Sequence, residues 1–213
     1  MIQVYFEGLV IGLGLLVAIG PQNAYVLRQG IRGNHVFAIA TTCALSDIAL
    51  IALGVMGVGK FVADSFILSS ILGWGGAAFL LWFGYSCIRS AINPKVLDQS
   101  MIDGSAGDAA GGGQRKAILH AMAFTWLNPH VYLDTLVMIG GVSIKYDSDE
   151  ARLMYFCGAI TASIIWFYGL GYSAKKAAPL FKVKRTWRIL DSVIAVVMIL
   201  IASALIHHQL QQL

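Results

Sequence analysis

The stretch FEGLVIGLGLLVAIGPQNAYVL, residues 6–27, places two helix-disrupting residues and two carboxamides inside an otherwise apolar run. The part before the disruption is apolar enough to belong to a membrane helix. Pro21 cannot donate a backbone hydrogen bond, so the carbonyl of Val17 loses its usual donor. Gln22 and Asn23 follow directly. Because polar groups in hydrocarbon need partners inside the protein, this break decides how the chain can fold.

The composition of the chain is that of a membrane protein. Of its 213 residues, 58% are hydrophobic and 12% are charged, whereas about 25% are charged in soluble domains. Apolar runs long enough to cross a bilayer as helices recur along the chain. The six predicted segments are 4–27, 36–59, 67–88, 117–142, 153–174 and 187–207. We therefore predict an all-α integral membrane protein whose first segment is retained and not cleaved as a signal peptide.

A polar, glycine-rich stretch divides the chain into two halves. Residues 93–116 have the composition of a flexible linker. A first three-helix half, 1–92, precedes this linker, and a second, 117–213, follows it. Because three is an odd number, two related halves would lie in opposite orientations in the membrane. The sequence therefore predicts two inverted three-helix repeats.

Basic residues predict the orientation. Twelve of the 15 Lys and Arg residues lie in the connections between segments 1 and 2, 3 and 4, and 5 and 6. These connections are predicted to be cytoplasmic, with the C-terminus outside. The N-terminus is also outside if the first segment spans fully, and inside if that segment is re-entrant. The basic charge thus indicates anionic lipid headgroups as neighbours, and not nucleic acid.

The two halves share a broken helix. GPQNAYVL, 20–27, and LNPHVYLD, 127–134, each combine Pro with Asn and place a Tyr three or four residues after the Pro. Helices 1 and 4 are predicted to break at Pro21 and Pro129. Matching breaks in two halves indicate a transport site. Two packing kinks are the alternative, since Pro and Gly are frequent in membrane helices.

Acidic side chains lie inside the apolar segments. Asp47 is in the middle of segment 2, and Asp134 follows Pro129 by five residues. A carboxylate at this depth costs about 2.5–3.5 kcal/mol and is usually functional. It can be protonated, bind a cation or alternate between the two, and alternation is the chemistry of a proton-coupled antiporter. A protonated, hydrogen-bonded structural Asp is the alternative. Asp191 is predicted to pair with Arg188, one turn earlier.

The remaining polar residues at these depths complete the predicted site. The candidate substrate- and proton-binding residues are Asp47, Asp134, Gln22, Asn23 and Asn128, and the helix breaks are Gly20, Pro21 and Pro129. The candidate supporting residues are Ser46, Tyr25, His130, Tyr132 and Trp126. Trp126 and Trp166 are expected to pack in the core or to stack on a cationic substrate. The three cysteines lack metal-ligand spacing, so we expect no metal and no cofactor.

Long stretches resemble a known family. They are GLGLLVAIGPQNAYVLRQGIR (12–32), CALSDIALIALGVMG (43–57), WGGAAFLLWFGY (74–85), TWLNPHVYLDTLVMIGG (125–141) and ASIIWFYGLG (162–171). Over nearly its whole length the chain resembles the LysE/ArgO family of basic amino acid exporters. The resemblance implies a six-helix bacterial inner-membrane exporter of L-arginine or L-lysine, driven by the electrochemical gradient. It also carries GPQN, Asp47 and LNPHVYLD over as the functional positions.

Other functions remain as alternatives. The same scaffold could export a neutral amino acid or a metal cation, although a metal would favour more carboxylates or clustered Cys and His. An intramembrane hydrolase is not expected, because the side chains of adjacent Ser46 and Asp47 diverge on a helix. The glycine-rich faces allow close helix approach within one chain or between two, so a homodimer is left open. Residue patterns do not separate arginine from lysine.

Overall fold

The chain is helical throughout the part that a computed structural model describes, namely residues 1–17, 20–57, 66–92, 112–128, 131–181 and 183–211. No strand occurs in these ranges. The elements are α1 (Ile2–Leu16), α2 (Pro21–Arg32), α3 (Val36–Val55), α4 (Phe66–Ile92), α5 (Gly112–Trp126), a π-helical segment (Tyr132–Ile139), α6 (Gly140–Ser143), α7 (Asp149–Ala177), a 3-10 turn (Ala178–Phe181) and α8 (Lys184–Gln211). Helix α5 begins inside the predicted linker 93–116, whose earlier residues lie outside these ranges.

Several helices are long and apolar enough to cross a membrane. Within the described residues they are α3, α7 with its 3-10 extension, and α8. Helices α1 and α2 together make a fourth candidate span, and their axes are inclined by 80°. A bent pair of this kind is either a broken span or a re-entrant loop. The predicted class of helical membrane protein is therefore confirmed, whereas six spans in two inverted repeats remain a prediction.

The predicted break in the first segment is present. Helix α1 ends at Leu16, and α2 begins at Pro21. Gly20 is the N-cap residue, with an extended backbone at φ −101° and ψ 175°. Proline suits the first helical position because its missing N–H would have no acceptor there in any case. In segment 4, α5 ends at Trp126 and the helix resumes near Tyr132, while Pro129 and His130 lie outside the described residues.

Glycines allow the helices of one chain to touch. Helix α1 packs along α7, and α4 packs along α8. A Cβ atom at Gly8 would overlap the carbonyl of Tyr155, and one at Gly158 would overlap the carbonyl of Tyr5. Small residues at such a crossing let the backbones of the two helices come into contact, as is usual between membrane helices. The α1–α7 pair therefore forms one closely packed unit.

An exposed ion pair ties α1 to the turn that precedes α7. Lys145 donates a hydrogen bond to Glu7, and the Tyr146 hydroxyl donates to the other Glu7 oxygen at 2.8 Å. The hydrogen bond to the Glu7 carboxylate raises the pKa of Lys145. Burial is the main cause that raises the pKa of Tyr146. Both groups keep their ordinary protonation at neutral pH, so this contact persists there.

A second, fully buried ion pair joins α2 to α8. Asp191 Oδ1 lies 2.8 Å from Arg28 Nε. Asp191 Oδ2 accepts a hydrogen bond of 2.5 Å from the Ser90 hydroxyl of α4. The Arg28 guanidinium also lies over the ring of Phe83, 5.7 Å from its centroid. These contacts neutralise both charges inside the bundle.

The predicted pairing of Asp191 with Arg188 is wrong. Arg188 Nε donates instead to the carbonyl of Ala91, at 3.2 Å. Arg28, which we predicted in a cytoplasmic loop, lies within α2 and is only 7% exposed. Spacing along α8 indicated only Arg188, whereas the packing of α2 against α8 brings Arg28 to Asp191.

Replacing Asp191 with Ala is expected to destabilise the protein strongly. The change leaves the Arg28 guanidinium buried without its counter-ion, and breaking a buried pair costs about 3–5 kcal/mol. Thermal unfolding of the detergent-purified protein measures the loss. Asp149→Ala is the control, because the Asp149 side chain is fully exposed. The double variant Arg28→Met, Asp191→Leu should recover much of the stability. Equal losses of stability in the Asp191→Ala and Asp149→Ala proteins would contradict a stabilising role for the buried ion pair.

Candidate functional site

A cavity of about 330 Å³ lies where the broken first helix meets the rest of the bundle. This volume is within the range of about 300–1,000 Å³ that is usual for small-molecule sites. The described residues that line it are Gly12, Leu15, Leu16, Gly20, Pro21, Gln22, Asn23, Asp47, Ile51, Asn128, Val131, Thr135, Ile139, Ala159 and Ile201. They come from both halves of the chain, with Ile201 on α8.

The cavity brings together six of the residues predicted from the sequence. They are Gly20, Pro21, Gln22, Asn23, Asp47 and Asn128. Tyr25 lies elsewhere: its hydroxyl donates to the carbonyl of Ala117 at 3.1 Å, and so joins α2 to α5. The backbone of Asp134 is in the π-helical segment. Its side chain lies outside the described residues, as do Pro129 and His130.

Asp47 supplies the charge of this cavity. Its residue is 4% exposed, and its carboxylate accepts one hydrogen bond of 3.0 Å from the Ser163 hydroxyl of α7. Within the described ranges no Lys, Arg or His forms an ion pair with it. Ser163 was not predicted, because a serine in an apolar run carries no local sign of a functional partner. A buried acid without a basic partner must be neutralised by a proton or by a bound cation.

Gln22 is the second polar group of the cavity. It is 7% exposed, and its carboxamide faces Asp47. Its Nε2 atom nevertheless has no hydrogen-bond partner of normal geometry among the described residues. Leaving such a buried donor unsatisfied costs about 1–3 kcal/mol. The nitrogen is therefore available to a molecule that enters the cavity.

Asn23 holds the helix break in place. Its Nδ2 donates to the carbonyl of Leu16 at 2.6 Å, at the end of α1. Its Oδ1 accepts from Trp166 Nε1 at 3.0 Å. Trp166 thus uses its indole N–H to position Asn23, in addition to packing in the core. A carboxamide that the sequence marked as a substrate contact serves here to satisfy the backbone.

The second break is satisfied in a similar way. The Tyr132 hydroxyl donates to the carbonyl of Trp126 at 2.7 Å, where α5 ends. Trp126 Nε1 in turn donates to Ser46 Oγ of α3 at 3.2 Å. These three residues support the walls of the site without lining the cavity, and Asn128 lines it directly. Their role as supporting residues stays a prediction.

Paired breaks and a buried acid around a cavity inside a helical bundle are features of membrane transport proteins. The family model described as LysE type translocator matches residues 13–209. The chain belongs to this family, as the resemblance predicted, and it is therefore a transport protein.

Similar proteins cover almost the whole chain. It is 37% identical over 212 residues to the Arginine exporter protein ArgO of Enterobacter sp. (strain 638), covering 98% of this chain and 97% of that protein. It is 39% identical over 202 residues to the Arginine exporter protein ArgO of Salmonella schwarzengrund (strain CVM19633), covering 95% and 92%. No solved structure matches the chain.

Removal of the Asn23 side chain is expected to loosen the break. Asn23→Ala removes the side-chain donor of the Leu16 carbonyl, and an unsatisfied buried acceptor costs about 1–3 kcal/mol. Thermal unfolding in detergent measures this loss. Asn34→Ala is the matched control, since Asn34 is exposed just beyond α2. An Asn23→Ala protein as stable as the Asn34→Ala protein would show that the carbonyl needs no such partner.

Proposed function

We propose that this protein exports L-arginine, L-lysine or both from the cytoplasm across the bacterial inner membrane. The observation that carries the proposal is the buried Asp47, which faces a cavity of small-molecule size without a basic partner in the described residues. The arginine exporters at 37% and 39% identity support the substrate class.

The charge of Asp47 suggests how export is driven. A carboxylate in hydrocarbon is costly alone, and its cost falls when a proton or a cation neutralises it. A cationic amino acid and a proton can therefore take turns at the same group. Exchange of the two couples export to the proton gradient. We propose Asp134 as a second acid in this exchange.

The pairing of helices supports two inverted repeats, formed by 1–92 and 117–213. The most extensive contacts join segment 1 to segment 5, segment 2 to segments 4 and 5, and segment 3 to segment 6. If the repeats exchange segments 1 with 4, 2 with 5 and 3 with 6, the 1–5 and 2–4 pairs map onto each other, and the 2–5 and 3–6 pairs map onto themselves. This is the pattern that a two-fold axis in the membrane plane would produce. The basic connections would then face the cytoplasm, and the C-terminus the outside.

The alternative substrates would need different groups in the site. A neutral amino acid, whose only cation is its α-ammonium group, would not need the two acids Asp47 and Asp134. A metal cation would need several ligands, and the described residues contain no group of three or more His, Cys, Asp or Glu side chains placed to hold one. The cationic amino acid is therefore the substrate class that the two acids favour.

The change Asp47→Asn is expected to abolish export. It preserves the shape of the side chain and removes the charge that a proton or cationic substrate would neutralise. Proteoliposomes loaded with labelled arginine or lysine, with and without a pH gradient, measure efflux, and a loss of about 100-fold or more would match the removal of a buried charge contact. Asp134→Asn tests the second acid in the same assay.

The exposed acid Asp149 provides the matched control. Asp149→Asn should export at the rate of the unmodified protein when the two are reconstituted at equal amounts. Normal arginine efflux from both Asp47→Asn and Asp134→Asn proteins would refute the role proposed for the acids. Efflux of a neutral amino acid at the arginine rate would refute the substrate class.

A further inference from the structure

We propose that the first turn of α2 binds the carboxylate of the transported amino acid, and that Asp47 binds its α-ammonium group. The side-chain cation of arginine or lysine then occupies another part of the cavity. This inference rests on the proposed function and specifies how the substrate is oriented. Asp47 then contacts the α-ammonium group, which all amino acids share.

The N-terminus of α2 opens into the cavity. The helix has 12 residues, and Gly20 as its N-cap residue provides no side-chain hydrogen bond. The backbone N–H of Gln22, in the first turn, has no acceptor inside the helix. The first turn also contains no acidic residue. An N–H group without an acceptor inside its helix and the positive end of the helix dipole both favour an anion.

The Gln22 side chain is an independent indication of a ligand. It is nine-tenths buried and lines the same cavity, and its Nε2 has no hydrogen-bond partner in the described part of the chain. This nitrogen is a donor only, so the group that completes it must be an acceptor. A carboxylate has acceptor positions for this donor and for a backbone N–H together.

The space beside the helix end is open. A Cβ atom added at Gly20 would meet no atom of the described residues within 4 Å, although Gly20 lines the cavity. Its φ of −101° is also one that any residue adopts. The backbone conformation therefore does not require a glycine here, and the missing side chain leaves room for a ligand.

The proximity of Gln22 to Asp47 decides the orientation of the substrate. The Gln22 carboxamide faces the Asp47 carboxyl group, so a carboxylate bound at Gln22 lies near a second negative charge. In an amino acid the ammonium and carboxylate groups share one carbon atom. Placing the ammonium at Asp47 therefore neutralises the repulsion, whereas placing the distant side-chain cation there would leave the carboxylate near Gln22 less well compensated.

Agmatine, which is arginine without its carboxylate, tests the inference on the unmodified protein. In proteoliposomes, it should inhibit efflux of labelled arginine about tenfold or more weakly than unlabelled arginine does, because it lacks the contacts to α2. Equal inhibition by the two compounds would overturn the carboxylate site and leave arginine export intact. Absence of both arginine and lysine efflux would instead contradict the proposed function.

The variant Gln22→Glu tests the site from the side of the protein. It places a negative charge against the substrate carboxylate, so the KM for arginine should rise about tenfold or more. Inhibition by agmatine should be unchanged or stronger. The matched control is Gln3→Glu at an exposed position of α1, which should leave both values as in the unmodified protein. An equal loss of arginine and agmatine binding in the Gln22→Glu protein would overturn the inference.

A second pair of variants adds only a methyl group. Gly20→Ala fills open space in front of α2, and Gly14→Ala fills open space on α1 away from the cavity lining. Gly20→Ala should raise the KM for arginine several-fold while changing agmatine inhibition less, and Gly14→Ala should change neither. Equal KM values for the two variants would overturn the placement of the carboxylate.

Discussion

The hydrogen bond from Asn23 Nδ2 to the carbonyl of Leu16, 2.6 Å long, is the interaction on which the site depends. Pro21 interrupts the first helix, and the backbone before it must be satisfied within the protein because no water is available in hydrocarbon. Asn23 satisfies it, and Trp166 holds Asn23 in place at 3.0 Å. With the break stabilised, α2 can leave the direction of α1 by 80° and present its N-terminus to the cavity.

The two breaks solve one physical problem by the same means. In each, a side chain two or three residues after the proline returns to a carbonyl at the end of the preceding helix. Asn23 does so for the first break, and Tyr132 does so for Trp126 at the second, at 2.7 Å. The walls of the cavity are thus ordered before any ligand enters. Preordered polar groups cost less to bring to a substrate than groups that must first be fixed.

The two buried acids Asp191 and Asp47 differ in their surroundings. Asp191 contacts Arg28 at 2.8 Å and Ser90 at 2.5 Å, and it is not among the described residues that line the cavity. Asp47 accepts a hydrogen bond from Ser163 at 3.0 Å, has no basic partner among the described residues, and lines the cavity. The first acid stabilises the bundle because its charge is already balanced. The charge of the second is not balanced by a described basic residue, and this supports the proposal that Asp47 exchanges a proton for substrate.

The sequence by itself determined the helical membrane class, the break at Pro21, the family and six of the residues around the cavity, because hydrophobicity and proline geometry act locally. Only the tertiary structure decided that Asn23 satisfies the backbone, that Ser163 contacts Asp47 across 116 positions of the chain, and that Arg28 and not Arg188 balances Asp191. Such contacts join distant helices. Their formation depends on which helix faces pack together, and no local pattern of residues encodes that choice.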